Sequence, residues 1–322
     1  MLAGSRQSVL VACSGGADSL ALAAATAFEA RRAGIRAGLV TIDHGLLGGS
    51  GEQARHVAAL GYELGLDPVE IVPVEVGGEG GPEAAARTAR YAALDGAAEA
   101  LDARVLLGHT LDDQAETVLL GLGRGSGPRS IAGMAVVDGH YLRPLLGVRR
   151  VTTSAACAAL GLPVWQDPHN VDTSFQRVRL RLEVLPLLED ALQGGVAQAL
   201  ARTAELLADD LAALDAWADA ALDMMISAET AENPGSARDH HAGRLDADAL
   251  AELPRAVRTR VLRAWATRAG AAALSAERTA ALDALVVGWR GQGPVELSGR
   301  VAVRRESGRL VVSPHPPTVA QE

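Results

Sequence analysis

Six consecutive residues near the start of the chain, Ser14-Gly15-Gly16-Ala17-Asp18-Ser19, offer two incompatible chemistries. With Ala12-Cys13-Ser14-Gly15-Gly16 taken as small-x-Ser-x-Gly, Ser14 imitates the serine of a nucleophile elbow, exposed on a strained strand-to-helix turn. Taken as a glycine-rich loop entering a helix, the same residues cradle phosphate on backbone N–H groups at the positive helix end. A cradle needs glycines for close backbone approach, hydroxyls to donate and a following helix. The six residues supply all three. An elbow uses one serine, leaves Asp18 and Ser19 unexplained and needs an acid and then a histidine downstream. Neither His140 nor His169 stands in such a context, so the phosphate reading is preferred.

The elements that would position this loop are legible as a rhythm. Residues 9–12, 37–42, 68–74 and 105–108 read as buried strands, and 19–33, 51–64, 83–101 and 112–122 as helices. Strands alternating with helices predict a doubly wound, mostly parallel α/β sheet, which collects ligands at the carboxyl ends of its strands. Each candidate motif falls there: residues 14–19 after the first strand, Asp43-His44-Gly45 after the second, and residues 109–113 after the fourth, with Asp112 as the expected helix N-cap. Beyond Pro186 the texture changes. Residues 196–226 read as a long amphipathic helix, 229–243 as a polar loop holding His240 and His241, and 245–289 as helical. Residues 293–313 read as short strands about a Ser307-Gly308 hairpin, and the tail from Pro314 as disordered. The expected domains are 1–192, catalytic, and 193–322, a linker helix with a smaller, mainly helical C-terminal domain.

Composition narrows the class. The chain has 322 residues, 48% of them hydrophobic, a net charge of −9 and two cysteines, Cys13 and Cys157. Two distant cysteines form no C-x-x-C pair, so reduced structural thiols are expected. No apolar stretch approaches the ~18 residues of a membrane span, and the first eight residues lack a signal-peptide pattern, so a cytoplasmic location is expected. All 30 basic residues are arginine, which removes the lysine that a Walker A loop requires. The acidic total argues against a polyanionic partner, but the acids concentrate in residues 205–232. Arginines gather at Arg143, Arg149 and Arg150, at Arg177, Arg179 and Arg181, and across residues 255–268.

The loop SGGADS resembles the signature of the N-type ATP pyrophosphatases, the PP-loop superfamily, which cleave ATP between the α- and β-phosphates and adenylate an oxygen of their substrate. Five further stretches are IDHGL at 42–46, ARTARY at 86–91, LGHTLDDQAETVLLGLGRGSG at 107–127, LRPLL at 142–146 and WQDPHNVDTSFQRVRLRLEVLPLL at 165–188. With the loop they are similar to the tRNA(Ile)-lysidine synthetases, closely over about the first 190 residues and loosely beyond. Three local departures stand out: His109-Thr110 replaces a frequent histidine pair, Arg177-Val178 lacks a frequent asparagine, and only 13 residues precede Ser14. The resemblance leads to the expectation that the further C-terminal domain of longer members has no counterpart here.

The resemblance implies adenylation of the wobble cytidine of a CAU-anticodon tRNA(Ile), then attack by free L-lysine. ATP and Mg²⁺ are the expected small-molecule requirements, tRNA(Ile) and lysine the partners, with no membrane and a homodimer as the candidate assembly. Ser14, Gly15, Gly16, Ala17, Asp18, Ser19, Asp43 and His44 are expected to bind nucleotide. Asp18, Arg87, Arg90, His109 and Asp113 are the expected catalytic residues. Arg87 and Arg90 share a helix face and would clamp phosphate and activated cytidine, whereas Asp113 would hold Mg²⁺ or orient lysine. Arg143, Arg177 and Arg181 are expected on tRNA, against the alternative of ordinary salt bridges to Asp167, Asp172, Glu183 and Glu189. Other PP-loop activities, tRNA thiolation or amide formation, would call for cysteine pairs or phosphate-binding lysines that this chain lacks. A non-enzymatic nucleotide-binding module would not need His109, Asp113 and the arginine pair.

Overall fold

In the computed structural model, which describes residues 8–45, 49–75, 77, 82–125, 127–232, 243–299 and 301–314, the apolar run SVLVA forms β1 (Ser8–Ala12). It pairs in parallel with β2 (Ala37–Asp43) on one side and β4 (Ala103–Leu107) on the other. Val9 and Val11 face a core shared with Leu20, Ala23 and Ala27 of α1 (Ala17–Ala33) and Val57 of α2 (Ser50–Glu63). Leu10 faces the opposite side, with Val40, Val105, and Leu94 and Ala97 of α3 (Pro82–Leu101). Burial on both faces explains why these strands read as continuous apolar runs.

The sheet order is β3-β2-β1-β4-β6-β5, with β3 (Val69–Pro73) at one edge. Strands β5 (Val137–Asp138) and β6 (Tyr141–Leu142) are two residues each, too short to show a period, and β5 is antiparallel to its neighbour. The chain runs outward from β1 through β2 to β3, then returns to start β4 on the other flank of β1. That reversal opens a crevice at the carboxyl ends of β1 and β4. The two loops meet closely there: a Cβ added to Gly108 would stand 3.1 Å from backbone atoms of Asp18 and Ser19.

After β4 come α4 (Leu111–Arg124), α5 (Pro128–Ile131), α6 (Arg150–Ala159), α7 (Gln176–Arg179), a π-helical turn at Leu180–Val184, α8 (Leu185–Ala191) and α9 (Val196–Glu232). The chain divides into two compact units, Met1–Ala208 and Asp209–Glu322. The first runs past residue 192 because Ala197, Leu200 and Ala201, early in α9, pack with Leu111, Ala115 and Leu185. Residues 229–232 correct the loop reading of 229–243. The helix continues because Met225 and Ile226 still pack on the second core and Glu229 is buried. Pro314, read as the start of a disordered tail, instead ends the last strand opposite Val301, and His240, His241 and the rest of the tail from 315 lie outside the described residues.

The second unit builds its core on Trp265 and Leu262 of α11 (Arg255–Arg268), Leu282 of α12 (Ala276–Val287), and Ala218 and Leu222 of α9. A four-stranded antiparallel sheet covers it, ordered β7 (Leu245–Asp246), β10 (Arg309–Pro314), β9 (Val301–Glu306), β8 (Val295–Leu297), and α10 (Ala247–Glu252) follows β7. Ser307 and Gly308 both take positive φ, 48° and 80°, as a two-residue hairpin turn requires.

Candidate active site

The SGGADS loop has the shape of a cradle. Gly15 takes φ +86°, and a Cβ there would stand 2.5 Å from Gln53, so only glycine fits. Its carbonyl accepts the N–H of Trp165 at 2.9 Å, which pins the loop from outside. Gly16 is the N-cap of α1 with no side-chain cap, leaving the first-turn N–H groups beyond it for a ligand. Ser14 is exposed. Ser19 is buried, and its hydroxyl accepts from Ser14 N and donates to Gly16 O at 3.0 Å, bracing the loop from within. Ala17 opens the helix, and its carbonyl accepts the buried Cys157 thiol. On the neighbouring loop Asp43 takes the Ser50 hydroxyl and the Gly45 N–H, which hold its carboxyl below the usual range.

Helix α4 starts on a reciprocal cap. Thr110 N donates to Asp113 Oδ2 at 2.8 Å, and Thr110 Oγ1 accepts from Asp113 N. The N-cap is therefore Thr110, not Asp112, because only Thr110 precedes the first turn with its side chain facing N3. Asp112 instead accepts from Arg149 Nε at 3.1 Å and Arg150 N at 2.7 Å. From this start, Asp113 and Glu116 share a helix face and meet arginines from two later segments. Arg150 reaches three carboxylates: Asp18 at 3.1 Å, Asp113 at 2.7 Å and Glu116 at 3.3 Å. Asp18 also accepts the Thr153 hydroxyl. Glu116 is fully buried and receives Arg177 at 3.3 Å and Arg181 at 2.9 Å as well. Arg150 and Thr110 hold the Asp113 carboxyl below its ordinary value despite burial.

Arg87 and Arg90 behave differently. Among the described residues neither guanidinium makes an ion pair or a hydrogen bond; both lie over the ring of Tyr91, with centroid distances of 4.9 and 5.7 Å. Burial and the positive charge of Arg90 push the His44 imidazole down. Burial chiefly, and then Arg90, Arg143 and Arg177 against the pull of Asp113, push His109 down to about 4. His44 Nδ1 and His109 Nδ1 are both buried and find no partner among the described residues, polar atoms of the kind a ligand satisfies.

A titration follows from the His109 environment. Its folded pKa lies below the unfolded value, so the unfolded chain binds more protons between about 4 and 6.5. The His109 contribution to stability is complete above pH 6.5 and is lost as pH falls toward about 4. Imidazole C–H NMR shifts of His109 should show no protonation until pH approaches about 4; a midpoint near 6.5 would contradict a buried neutral ring.

The expected tRNA contacts sit elsewhere than on an open surface. Arg143 is 6% exposed and spends Nη1 on Ala135 O at 2.8 Å and Nη2 on Asp138 at 3.4 Å. Arg177 and Arg181 lie four apart on one helical face and both turn to Glu116, while Arg179 pairs outward with Glu183 at 2.9 Å. Glu189 caps the start of α9 through Val196 N and Ala197 N. Sequence reasoning assigned no role to Glu116, Thr153 and Trp165; Glu116, three residues after Asp113, and Trp165 lie inside the family-like stretches 107–127 and 165–188, whereas Thr153 lies in none.

A nucleotide-type cradle at the switch point of a parallel sheet defines a PP-loop ATP-binding protein, and residues 3–188 match the model of the PP-loop domain. Residues 245–311 match the TilS substrate binding domain. The tRNA(Ile)-lysidine synthase of Thermobifida fusca is 57% identical over 308 residues, 95% of this chain and 91% of that protein. Those of Streptomyces coelicolor and Salinispora tropica are each 56% identical over 310 residues, 94% of this chain and 84% and 89% of theirs. The chain belongs to the tRNA(Ile)-lysidine synthase family, a family of ligases. The U34-tRNA thiolase NcsA of Methanococcus maripaludis, with its [4Fe-4S] cluster, superposes with a TM-score of 0.52 at 19% identity. That match covers 63% of this chain and 73% of the thiolase, and it shares the fold alone.

Proposed function

We propose that the protein uses ATP to place AMP on an oxygen of the wobble cytidine of a CAU-anticodon tRNA(Ile), releasing pyrophosphate, and that free L-lysine then displaces AMP to form lysidine. The observation that carries this reading is Arg90, which has no counter-ion among the described residues and whose charge acts on both His44 and His109, two imidazoles with orphaned nitrogens, on the loops that flank the uncapped N-terminus of α1. Such a site is built for an anion, and charge on the α-phosphate and pyrophosphate is what adenylation must stabilise.

In this reading Ser14, Gly15, Gly16 and Ala17 offer the phosphate cradle, Ser19 shapes it, and Asp43 and His44 line the nucleotide side. Arg87 and Arg90 clamp phosphate and cytidine, and His109, kept neutral, offers a ring nitrogen to hydrogen-bond and orient a reactant. Among the described residues no three His, Cys, Asp or Glu side chains gather around a metal position. Mg²⁺ fits such a site, since one or two carboxylates and phosphate oxygens suffice for it. Asp18 and Asp113 are the carboxylates that would hold it, and it would supply positive charge to offset the charge that builds on the phosphates.

Residues 1–192 are assigned to catalysis and 193–322 to tRNA recognition, in the cytoplasm; no helix among the described residues is long and apolar enough to cross a membrane. Trp217 and Met224, exposed seven residues apart on α9, offer an apolar face for a homodimer.

Incubation with ATP, lysine and bulk tRNA tests the reaction: AMP release must depend on both lysine and tRNA, and release with either omitted would refute lysidine formation. Ser14→Ala separates cradle from nucleophile. Loss of one or two transition-state hydrogen bonds should slow pyrophosphate release by about one to three powers of ten. An esterase activity that disappears with Ser14 would overturn the cradle.

A further inference from the structure

The site holds its arginines in two ways. Arg149, Arg150, Arg177 and Arg181 are fixed by carboxylates, which fix geometry but also cancel charge and occupy N–H donors. Among the described residues Arg87 and Arg90 have no carboxylate partner, yet Arg90 is largely withdrawn from water, a costly place for an unpaired cation. What they share is the ring of Tyr91. An aromatic face attracts a guanidinium through its quadrupole, contributes no net negative charge and accepts none of the N–H donors in their plane.

The Tyr91 ring is itself held. It packs edge to face with Tyr141 at a centroid distance of 5.2 Å and an interplanar angle of 70°, a favourable T-shaped arrangement. Tyr141 is fixed by its hydroxyl, which donates to Asp95, and by the His140 ring at 4.2 Å, while His140 Nε2 stands 3.0 Å from Asp95. A chain of contacts thus runs from Asp95 through Tyr141 and Tyr91 to the two guanidinium groups. The Tyr91 hydroxyl is buried and has no partner among the described residues, so the ring, not the hydroxyl, makes the contact that matters.

We propose that Tyr91 is a positioning residue that holds Arg87 and Arg90 against its ring, keeping both cations uncompensated and their donors free for the anionic reactants. This rests on the reading of Arg87 and Arg90 as the clamp, and the test separates the two. In lysine- and tRNA-dependent pyrophosphate release, Tyr91→Phe should stay within about twofold of the parent, whereas Tyr91→Leu should lower kcat/KM about three- to thirtyfold. In an Arg90→Gln, Arg87→Gln background the same leucine should cost less than about twofold, because its effect passes through the arginines. In the ligand-free protein the Arg90 Nε–H resonance should carry a ring-current shift that persists with phenylalanine and disappears with leucine.

Equal losses for phenylalanine and leucine, a full leucine effect without the arginines, or an Arg90 resonance indifferent to leucine would each overturn the proposal. Full activity of the double arginine variant would instead remove the clamp, leaving the resonance to report on positioning alone. Where Tyr91→Leu abolishes the thermal transition, Tyr91→Met takes its place as a long side chain without a ring.

Discussion

Asp18→Ala is expected to slow pyrophosphate release by about three powers of ten while the protein keeps its fold. Asp18 sits in the first turn of α1, directly behind the glycines, with its side chain 22% exposed, and its carboxylate ties Arg150 and Thr153 of α6 to the loop. Removing it takes away a carboxylate that would hold Mg²⁺ and frees Arg150 to swing wholly toward Asp113 and Glu116. Both effects fall on transition-state charge, where a single preorganised group is worth about two to three powers of ten. The stability cost is small, since Arg150 keeps two carboxylates at 2.7 and 3.3 Å and the lost pair is partly solvated. About 1 kcal/mol is the scale of such a pair. Asp18→Asn keeps a partner for Thr153 and loses only the charge, so it should be nearly as slow with a smaller shift in melting temperature. Activity within tenfold of the parent for both variants would show that the carboxylate takes no part in the chemistry.

What could be read in advance was what the local chain decides. The strand-helix alternation is carried by short apolar runs such as SVLVA, and the loop by Gly15, whose positive φ no other residue adopts cheaply. The capping box was also written in the chain, as Thr110 followed three residues later by Asp113, but Asp112 offered a competing cap that only side-chain direction eliminates. Strands β5 and β6 were illegible because two residues carry no period. Partner choice was the least legible. Nothing local tells that Arg177 and Arg181 turn inward to Glu116 rather than to the nearer acids Asp167, Asp172, Glu183 and Glu189, because that pairing depends on where α4 lies under α7. For the same reason the contrast between carboxylate-held and ring-held arginines appears only in the folded chain.

That inward turn changes what replacement of Arg177 and Arg181 together by glutamine should do. As phosphate contacts, their loss would flatten the dependence of log K for tRNA on log salt by about one to two units and leave stability unchanged. In the fold, Glu116 has no solvent exposure and is compensated by three arginines, of which only Arg150, at 3.3 Å, would remain. A buried carboxylate stripped of partners typically costs about 3–5 kcal/mol. With one arginine retained and the two departing side chains 32% and 26% exposed, about 3 kcal/mol is expected. The urea midpoint should therefore fall clearly, and the salt slope for tRNA should change by less than one unit. Adding Glu116→Gln to the double variant removes the stranded charge and should recover much of the loss, a coupling that independent surface pairs would not show. A double variant with the parental urea midpoint and a slope flattened by one to two units would return both arginines to the tRNA backbone and leave Glu116 to Arg150 alone.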